Sequence, residues 1–262
     1  MKFYIGTSGY SYAHWGQGIF YPKGLPPSQW LEYYCRHFNS VELNVTFYRL
    51  PQKETFQEWY HRTPKEFRFV VKGARFITHI KRLHDVKESL LRLAETIAPL
   101  KSKIECLLWQ LPPNFKKDEQ RLKTFCQQLR KIKILNTTHH AFEFRERSWF
   151  HEDVYSVLRE FRYCLCLFDS PQIKADEILT CPYVYLRYHG SSTRYASNYS
   201  QDELKHWINK MRALKNRIHT IYAFFNNDFR GYAVFNATSF REILLNSFSR
   251  AKKRRSIISV GF

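Results

Sequence analysis

Eight short apolar segments recur along the 262-residue chain, and amphipathic helical patterns fill most of the gaps between them. The segments predicted as strands are residues 3–9, 41–47, 67–74, 104–111, 140–145, 163–169, 183–190 and 220–227. Strands that alternate with helices pair in parallel through right-handed crossovers. Eight of them predict one α/β domain, a single (β/α)8 TIM-type barrel with parallel strands. An open doubly wound sheet is the second candidate, but no dinucleotide-binding glycine pattern follows the first strand.

The predicted helices agree with this architecture. They cover residues 28–37, 54–61, 85–98, 117–130, 153–161, 201–214 and 238–248. The gap between the sixth and seventh strands contains only a short helical turn at 175–179. No linker or internal repeat divides the chain, so we predict one barrel domain over residues 1–249 and a basic C-terminal tail over 250–262.

The formal net charge is +19, from 42 Lys and Arg against 23 Asp and Glu. Such a charge attracts phosphate-rich partners and anionic substrates over long range. Two interpretations remain open: the charge serves an anionic small molecule or a nucleic acid, or Lys and Arg simply cover solvated helices.

The six cysteines include no C-x-x-C pair, which favours buried free thiols over a zinc site. The first six residues are too short an apolar segment for a signal peptide. No apolar stretch reaches the roughly 18–20 residues that a membrane span needs. These features predict a soluble, cytoplasmic protein without a membrane partner.

Polar residues interrupt the apolar strands in a regular way. Residues i and i+2 of a strand share a face, and apolar positions 41, 43, 45 and 47 suit a helix layer, so Glu42, Asn44 and Thr46 point inward. The same alternation sends inward Lys72, Glu143, Arg145, Arg187 and His189. Asp169 ends the sixth strand on the face of Leu165 and Leu167. At the same level on further strands lie Ser8, Gln110, Asn226, Asn227 and Asp228.

Two explanations compete for these inward polar residues. The first is a buried salt-bridge network that stabilises the barrel, for example Glu42 with Lys72 or Glu143 with Arg187. The second is a functional site at the C-terminal mouth, where catalytic and ligand groups of this fold collect. Polar groups at the ends of seven or eight strands favour the site.

The chemistry of the residues suggests roles. A carboxylate would act as general base with His189 or Lys72 as acid, so the catalytic candidates are Glu143, Asp169, His189, Lys72 and Glu42. The substrate-binding candidates are Ser8, Asn44, Tyr48, Arg75, His79, Gln110, Arg145, Trp149, Arg187, Asn226, Asn227 and Asp228. A divalent metal held by Glu143, Asp169 and His189 is conceivable, but the neighbouring arginines disfavour a cation. No metal ligand is therefore assigned, and the cofactor is left open.

Aromatic residues gather in the same loops. They either stack on bases or sugar rings, or they plug the mouth. The residues concerned are Tyr10, Tyr12, Trp15, Phe20, Tyr21, Tyr48 and Trp149.

Several motifs resemble the YecE-like family, a domain of unknown function. The matching segments are Ile5-Gly6-Thr7-Ser8-Gly9-Tyr10, Trp15, Phe20-Tyr21-Pro22, Phe38-Asn39-Ser40-Val41-Glu42-Leu43-Asn44, Thr46-Phe47-Tyr48, Lys72 with Arg75-Phe76-Ile77-Thr78-His79, Gln110-Leu111-Pro112-Pro113, Glu143-Phe144-Arg145, Ser148-Trp149, Arg187-Tyr188-His189-Gly190 and Phe225-Asn226-Asn227-Asp228. The resemblance covers residues 3 to about 247 and implies a TIM-type barrel. Tyr10 stands where the family pattern leads us to expect Trp. The resemblance supplies no chemistry, because fold alone does not assign function.

Three functions fit the sequence. The first is a hydrolase or phosphodiesterase acting on a phosphate-bearing substrate, with nucleic acid among the candidates. The second is a protein that binds nucleic acid or a phosphorylated metabolite without catalysis. The third is a carbohydrate-active enzyme that uses Glu143 and Asp169 as its carboxylate pair.

Overall fold

The computed structural model describes the backbone of residues 1–258 and the side chains of residues 1–248. Nine strands lie in this part of the chain: β1 (Lys2–Thr7), β2 (Ser40–Leu43), β3 (Arg68–Lys72), β4 (Ile104–Gln110), β5 (His139–Glu143), β6 (Cys164–Leu165), β7 (Leu167–Asp169), β8 (Tyr183–Tyr188) and β9 (Thr220–Phe225). Its α-helices are α1 (Trp30–His37), α2 (Val45–Tyr48), α3 (Lys53–Arg62), α4 (Lys87–Ile97), α5 (Glu119–Lys131), α6 (Lys133–Asn136), α7 (Glu152–Phe161), α8 (Gln201–Ala213) and α9 (Tyr232–Ile258). Strands and helices alternate as the sequence predicts, except that among the described residues no helix separates β6 from β7 or β7 from β8.

All strand pairs are parallel, and they form two sheets rather than one. The four-stranded sheet has the order β1-β9-β8-β7, and the five-stranded sheet has the order β2-β3-β4-β5-β6. The expected single set of eight strands is therefore wrong in count, because the predicted sixth strand divides into β6 and β7 at Cys166. The parallel α/β class is confirmed.

The two sheets meet along both pairs of edges. At one side Ser8 forms an isolated bridge with Glu42, and the amide of Gly9 donates to the carbonyl of Glu42 at 2.8 Å. At the other side β6 and β7 are consecutive in the chain, and the amide of Cys166 donates to the carbonyl of Phe142 at 2.8 Å.

Three local predictions need correction. The predicted strand 41–47 ends at Leu43, and the chain turns directly into α2. No helical turn forms at 175–179. The basic residues predicted as a tail from 250 belong to α9 as far as Ile258, and the last four residues of that prediction, 259–262, lie outside the described residues.

Side chains of the strands fill two apolar layers. Alternate residues face the helices and join the outer core, which includes Val41, Val71, Phe142, Leu186 and Tyr188. The other residues face inward and form an inner core between the two sheets, composed of Tyr4, Val70, Cys106, Leu108, Ala141, Cys164, Cys166, Cys181, Tyr183, Tyr185, Tyr222 and Phe224. The inner core ends in polar residues at the carboxyl ends of the strands, and this places the candidate site.

All six cysteines are free, as predicted, and all but Cys35 are buried. Within the described residues, no helix is both long and apolar enough to cross a membrane.

Gly6 marks the closest approach of β1 to β2. A Cβ atom at this position would lie 2.0 Å from the carbonyl oxygen of Ser40, which is backbone and cannot rotate away. We therefore expect Gly6→Ala to lower the free energy of unfolding by about 1–3 kcal/mol, the usual effect of overpacking. Urea denaturation measures this change.

Gly24→Ala is the control for that measurement. A Cβ atom at Gly24 meets no atom within 4 Å, although its φ of +84° strains a side chain. The control therefore carries only a backbone cost of about 1 kcal/mol. A Gly6→Ala protein no less stable than the control would show that β1 and β2 do not pack this closely.

Candidate active site

The inward polar residues converge because parallel strands bring their carboxyl ends to one edge. Glu42 lies near the end of β2, Lys72 and Glu143 are the last residues of β3 and β5, and Arg187 lies at the end of β8. His189 follows β8 on the same face as Arg187. Strand alternation therefore brings together five of the predicted site residues, as the sequence indicates.

Arg187 is the centre of what we call the charged cluster, composed of Glu42, Glu143, Arg145, Arg187 and His189. Its guanidinium donates to Glu42 from Nη2 at 2.6 Å and from Nε at 2.9 Å, and to Glu143 from Nη1 at 2.8 Å. The Tyr185 hydroxyl donates to Glu42 at 2.6 Å. Arg187 is 2% exposed, and both glutamates are fully buried.

The second half of the charged cluster surrounds Glu143. Arg145 donates from Nε to Glu143 and from Nη2 to His189, and the Ser8 hydroxyl lies 3.4 Å from Nη2 of Arg187. Burial alone would raise the pKa of Glu143, but Arg145 and Arg187 hold this pKa well below its usual value. Glu143 is therefore an anion whose oxygens are already occupied by guanidinium groups.

These contacts limit the roles that the sequence suggests. Glu42 pairs with Arg187 and not with Lys72, so one of the two predicted ion pairs is wrong and the other, Glu143 with Arg187, is present. Two carboxylates and two guanidinium groups balance one another. Because the oxygens of both carboxylates are bonded to guanidinium groups, the geometry favours a positioning role for Glu42 and Glu143.

His189 is a neutral imidazole at pH 7. Burial, together with the cations Arg145 and Arg187, lowers its pKa to about 3, although Glu143 opposes this effect. Its Nε2 faces an Arg145 N–H, so Nε2 accepts, and Nδ1 lies 3.2 Å from the Asn226 side-chain amide nitrogen. Nδ1 then carries the ring hydrogen, and the one lone pair of the neutral ring is already engaged by Arg145, so His189 has no free lone pair to accept a proton from a substrate.

Lys72 differs from the charged cluster because its amine has no partner among the described side chains. The residue is 8% exposed, and Nζ lies 4.0 Å from the centre of the Phe47 ring. Within residues 1–248 its Nζ makes no hydrogen bond or ion pair. Burial and the charge of Arg187 lower the pKa of Lys72 to about 7, against the opposing attraction of Glu42 and Glu143.

His79 and Phe47 complete the surroundings of Lys72. The His79 ring packs edge-on against Phe47 at 4.9 Å, and its Nδ1 lies 2.9 Å from the Thr78 hydroxyl. Burial, Lys72 and Arg75 lower the pKa of His79 to about 4. Phe47 is a residue that alternation assigns to the helix layer, and nothing in the sequence shows that α2 turns it over the lysine.

Asp169 does not join the charged cluster. It pairs in register with Tyr188, whose ring lies in the outer core. Its surroundings are Tyr199 and Trp207, and burial raises its pKa. Glu143 and Asp169 therefore face opposite sides of the sheets, and no glycosidase carboxylate pair forms between them.

The metal set suggested by the sequence is not assembled either, because it includes Asp169. Across the described residues, no group of three or more His, Cys, Asp or Glu side chains is placed to hold a metal ion.

Several predicted ligands have structural contacts instead. Trp149 is fully buried, stacks on Phe144 at 4.8 Å and donates to the Phe115 carbonyl. Asn227 donates to the Ser197 carbonyl and to Asn236, both at 2.8 Å, and thereby holds the loop after β8 against α9. Of the seven aromatics expected at the mouth, Trp15, Tyr21 and Trp149 are fully buried, Tyr10, Tyr12 and Phe20 are partly buried, and Tyr48 is 79% exposed.

The remaining predicted residues line the rim. The Gln110 side chain donates to the Leu111 carbonyl at 2.8 Å. Asn44 precedes α2, and its side-chain oxygen is buried without a partner in the described structure. Asp228 accepts from Trp15 at 2.9 Å and pairs with His14 at 3.1 Å, a partner that the sequence did not single out. Burial raises the pKa of Asp228 to about 6.

A groove of about 740 Å³ opens between α2 and α4; Phe47, whose ring contacts the Lys72 amine, is one of its lining residues, whereas Lys72 itself is not. Three arginines and exposed aromatic rings line it, namely Arg49, Arg75, Arg92, Tyr48 and Phe76. The predicted ligands Tyr48 and Arg75 therefore lie on this groove and not in the charged cluster.

Comparison with known proteins places the chain among uncharacterised relatives. Residues 4–256 match the family model described as protein of unknown function DUF72. The chain is 27% identical to UPF0759 protein YunF of Bacillus subtilis, over 96% of this chain and 98% of YunF. It is 36% identical to UPF0759 protein YecE of Escherichia coli over 85 residues, 32% of this chain and 31% of YecE. The predicted YecE-like assignment is confirmed.

Solved structures agree. A DUF72 protein of Thermotoga maritima superposes with a TM-score of 0.82 at 33% identity, over 93% of this chain and 99% of that chain. A DUF72 protein of Enterococcus faecalis superposes with a TM-score of 0.78 at 22% identity, over 92% of this chain and 95% of that chain. SacUVDE, whose fold is TIM-barrel-like, superposes with a TM-score of 0.53 at 9% identity, over 94% of this chain and 98% of that chain. At this identity the similarity is one of fold alone.

Proposed function

Since the chain belongs to DUF72, a protein family of unknown function, we propose its activity from its own geometry. It is an enzyme of hydrolase or phosphodiesterase type that acts on an anionic, phosphate-bearing substrate at the carboxyl ends of the strands. One observation carries the proposal: after the two carboxylates and two guanidinium groups of the charged cluster have paired, two nitrogen groups at this edge, Nη1 of Arg145 and the amine of Lys72, have no partner among the described side chains.

Arg145 provides the first of these groups. Its Nε and Nη2 are occupied by Glu143 and His189, but its Nη1 makes no contact of this kind with the described side chains. The guanidinium lies 4.8 Å from the Phe168 ring, which fixes its plane. An N–H held in this way matches a phosphate oxygen, because guanidinium groups bind phosphate with directed hydrogen bonds.

Lys72 is the second group. Its amine exchanges its proton near neutral pH, and a group with a pKa near the working pH is suited to proton transfer. Arg145 would hold the phosphate, Lys72 would react, and the paired Glu42, Arg187 and Glu143 would fix both in place. The reacting groups proposed from the geometry are therefore Lys72 and Arg145, and not the carboxylates Glu143 and Asp169.

The proposal also concerns the fold, because it places the site at the mouth of a closed barrel. We infer that the two sheets act as one (β/α)8 barrel whose C-terminal mouth holds the site. The bridge between Ser8 and Glu42, the continuity of β6 with β7, and the inner core shared by both sheets support this inference. The ion pair of Glu42 with Arg187 also links β2 to β8, which belong to different sheets.

Turnover of simple phosphate esters tests the proposal. The panel contains bis(4-nitrophenyl) phosphate, 4-nitrophenyl phosphate and a short single-stranded oligonucleotide. We expect the wild-type protein to cleave at least one of them, with inorganic phosphate as a competitive inhibitor. Arg145→Met should raise KM about 10- to 100-fold, the equivalent of a lost charge-assisted hydrogen bond.

Arg147→Met is the matched control. Arg147 lies two residues further along the chain, and its side chain is 64% exposed and paired with Asp176. Its loss should leave kcat and KM unchanged. Absence of turnover across the panel, or equal losses in the two variants, would count against the proposed enzyme.

Binding without turnover is the second candidate function, and the groove between α2 and α4 favours it. Its arginines and exposed rings suit a phosphate backbone with stacked bases. In that case the oligonucleotide binds without product, and its affinity falls steeply as salt rises from 50 to 200 mM.

A further inference from the structure

We propose that Lys72 is a nucleophile whose amine forms an imine with an aldehyde or ketone group of the substrate. This inference builds on the proposed function and narrows it, because it identifies the substrate class as a phosphorylated carbonyl compound. The sequence suggests only an acid role for Lys72, and the proposed function gives it proton transfer, so a covalent role is a new assignment.

The surroundings of Lys72 are those of a free amine and not of an ion-pair partner. Nζ lies over the Phe47 ring at 4.0 Å, with Glu42 and Glu143 already occupied by arginines. No acceptor among the described residues fixes its N–H groups. Only its backbone is tied: the carbonyl of Lys72 accepts from the Thr46 hydroxyl at 2.6 Å.

Lys103 shows what a structural buried lysine looks like in the same chain. It is 5% exposed, similar to Lys72. Its ammonium donates to the Tyr60 carbonyl at 2.6 Å, to the Thr63 carbonyl at 2.7 Å and to the Thr63 hydroxyl at 3.0 Å. Three acceptors satisfy its three N–H bonds and leave no lone pair for chemistry. Lys72 has the burial without the acceptors.

The charges around Lys72 come from four elements. Arg187 and Arg145 oppose a third cation, Glu42 and Glu143 attract it, and His79 lies on the other side beside Phe47. Because the arginines and burial prevail, about half of the Lys72 amine is neutral at pH 7. A desolvated lysine next to cations is the usual way in which proteins activate this nucleophile.

The reaction balances without an oxidant or metal. The neutral amine of Lys72 adds to the carbonyl carbon, the carbonyl π pair moves to oxygen, and a proton passes from nitrogen to that oxygen. Loss of the second amine proton and of the hydroxyl group then releases water and forms the C=N bond. Amine and carbonyl thus give imine and water. The Arg145 N–H remains free to hold the phosphate of the same substrate.

Reductive trapping tests the proposal on the full-length wild-type protein. Glyceraldehyde 3-phosphate and glyceraldehyde are incubated separately with the protein and sodium cyanoborohydride, and labelled lysines are quantified by peptide mass mapping. At pH 7 we expect Lys72 to be labelled about 50-fold faster than exposed lysines. A much larger fraction of its amine is unprotonated, which raises the labelling rate, but a weaker base is also a weaker nucleophile, which offsets part of this gain. The rate at Lys72 should rise with a midpoint near pH 7.

Lys103 is the internal control in the same digest, and it should remain unlabelled. Protein unfolded in urea should lose the preference for Lys72, which separates a site effect from a sequence effect. Lys72→Met should lose that one adduct and keep the surface labelling. Labelling of Lys72 no faster than that of exposed lysines would overturn the proposal.

The two aldehydes separate this proposal from the proposed function. Faster trapping of the phosphorylated aldehyde supports both the imine and the phosphate site. Equal trapping of both aldehydes at Lys72 supports the imine and argues against the phosphate site. Cleavage of phosphate esters without trapping at Lys72 keeps the enzyme and removes the imine.

Discussion

Arg187→Met is expected to lower the free energy of unfolding by about 3–5 kcal/mol. Its guanidinium is the common partner of two fully buried carboxylates. Removal of one partner of a buried ion pair leaves an uncompensated charge in the interior, which costs more than the pair itself contributes. Glu42 would lose both of its guanidinium hydrogen bonds, whereas Glu143 would keep Arg145. Urea denaturation followed by circular dichroism measures the loss.

Two further variants test the cause of this effect. Arg147→Met removes an exposed arginine, and surface ion pairs contribute at most about 1 kcal/mol. The double variant Glu42→Gln with Arg187→Met removes the orphaned charge and should be more stable than Arg187→Met alone. An Arg187→Met protein as stable as the wild type would show that the charged cluster is hydrated and not buried.

Lys72→Met is expected to abolish turnover and at the same time to stabilise the protein. A positioned proton-transfer group typically accelerates a reaction about 10²- to 10⁴-fold, so kcat should fall by at least about 10²-fold. The displacement of the Lys72 pKa from 10.5 to about 7 is a cost of burying the ammonium. It corresponds to an upper value of about 5 kcal/mol, which methionine would not incur.

The sign of the pH dependence follows from the same pKa. Below pH 7 the Lys72 amine is charged in both the folded and the unfolded chain. The wild type then bears the full cost of burying the ammonium, and the stability advantage of Lys72→Met over the wild type is largest. Between pH 7 and 10.5 the unfolded chain binds more protons, so the wild type gains stability as pH rises and the advantage of the variant disappears. Unfolding at pH 6 and pH 10 measures this difference.

Lys103→Met is the control, and its change in free energy of unfolding should have the opposite sign to that of Lys72→Met. It removes three hydrogen bonds from Tyr60 and Thr63 and should destabilise the protein. A Lys72→Met protein with wild-type turnover, or one destabilised as Lys103→Met is, would contradict the assignment of Lys72 as the reactive amine.

Strand alternation predicts Lys72 and most of the charged cluster because β5 and β8 are regular and the irregularity of β3, between Phe69 and Val70, precedes Lys72. In these strands the period of two places Lys72, Glu143 and Arg187 on the inner face without any knowledge of the fold. The pair of Glu143 with Arg187 was open to prediction, but the pair of Glu42 with Arg187 was not, since these two residues are 145 residues apart in sequence. Their pairing depends on the strand order, which sets their distance.

The prediction fails where the chain leaves a strand. Residues 41–47 alternate without interruption, but the strand ends at Leu43, and Phe47 therefore covers Lys72 instead of packing under a helix. Asp169 is a different error. Its alternation with Leu165 and Leu167 already indicates the outer face. A position at the end of a strand does not by itself bring a side chain to the inner face, and so it does not predict a place in the site.

A single guanidinium has a mechanical consequence for the whole molecule. Arg187 on β8 holds Glu42 on β2 and Glu143 on β5, so one side chain bonds strands from both sheets. Any sliding of one sheet against the other must stretch these bonds in a low-dielectric interior, where they are strongest. The two sheets therefore resist shear together and lose their order as one cooperative unit.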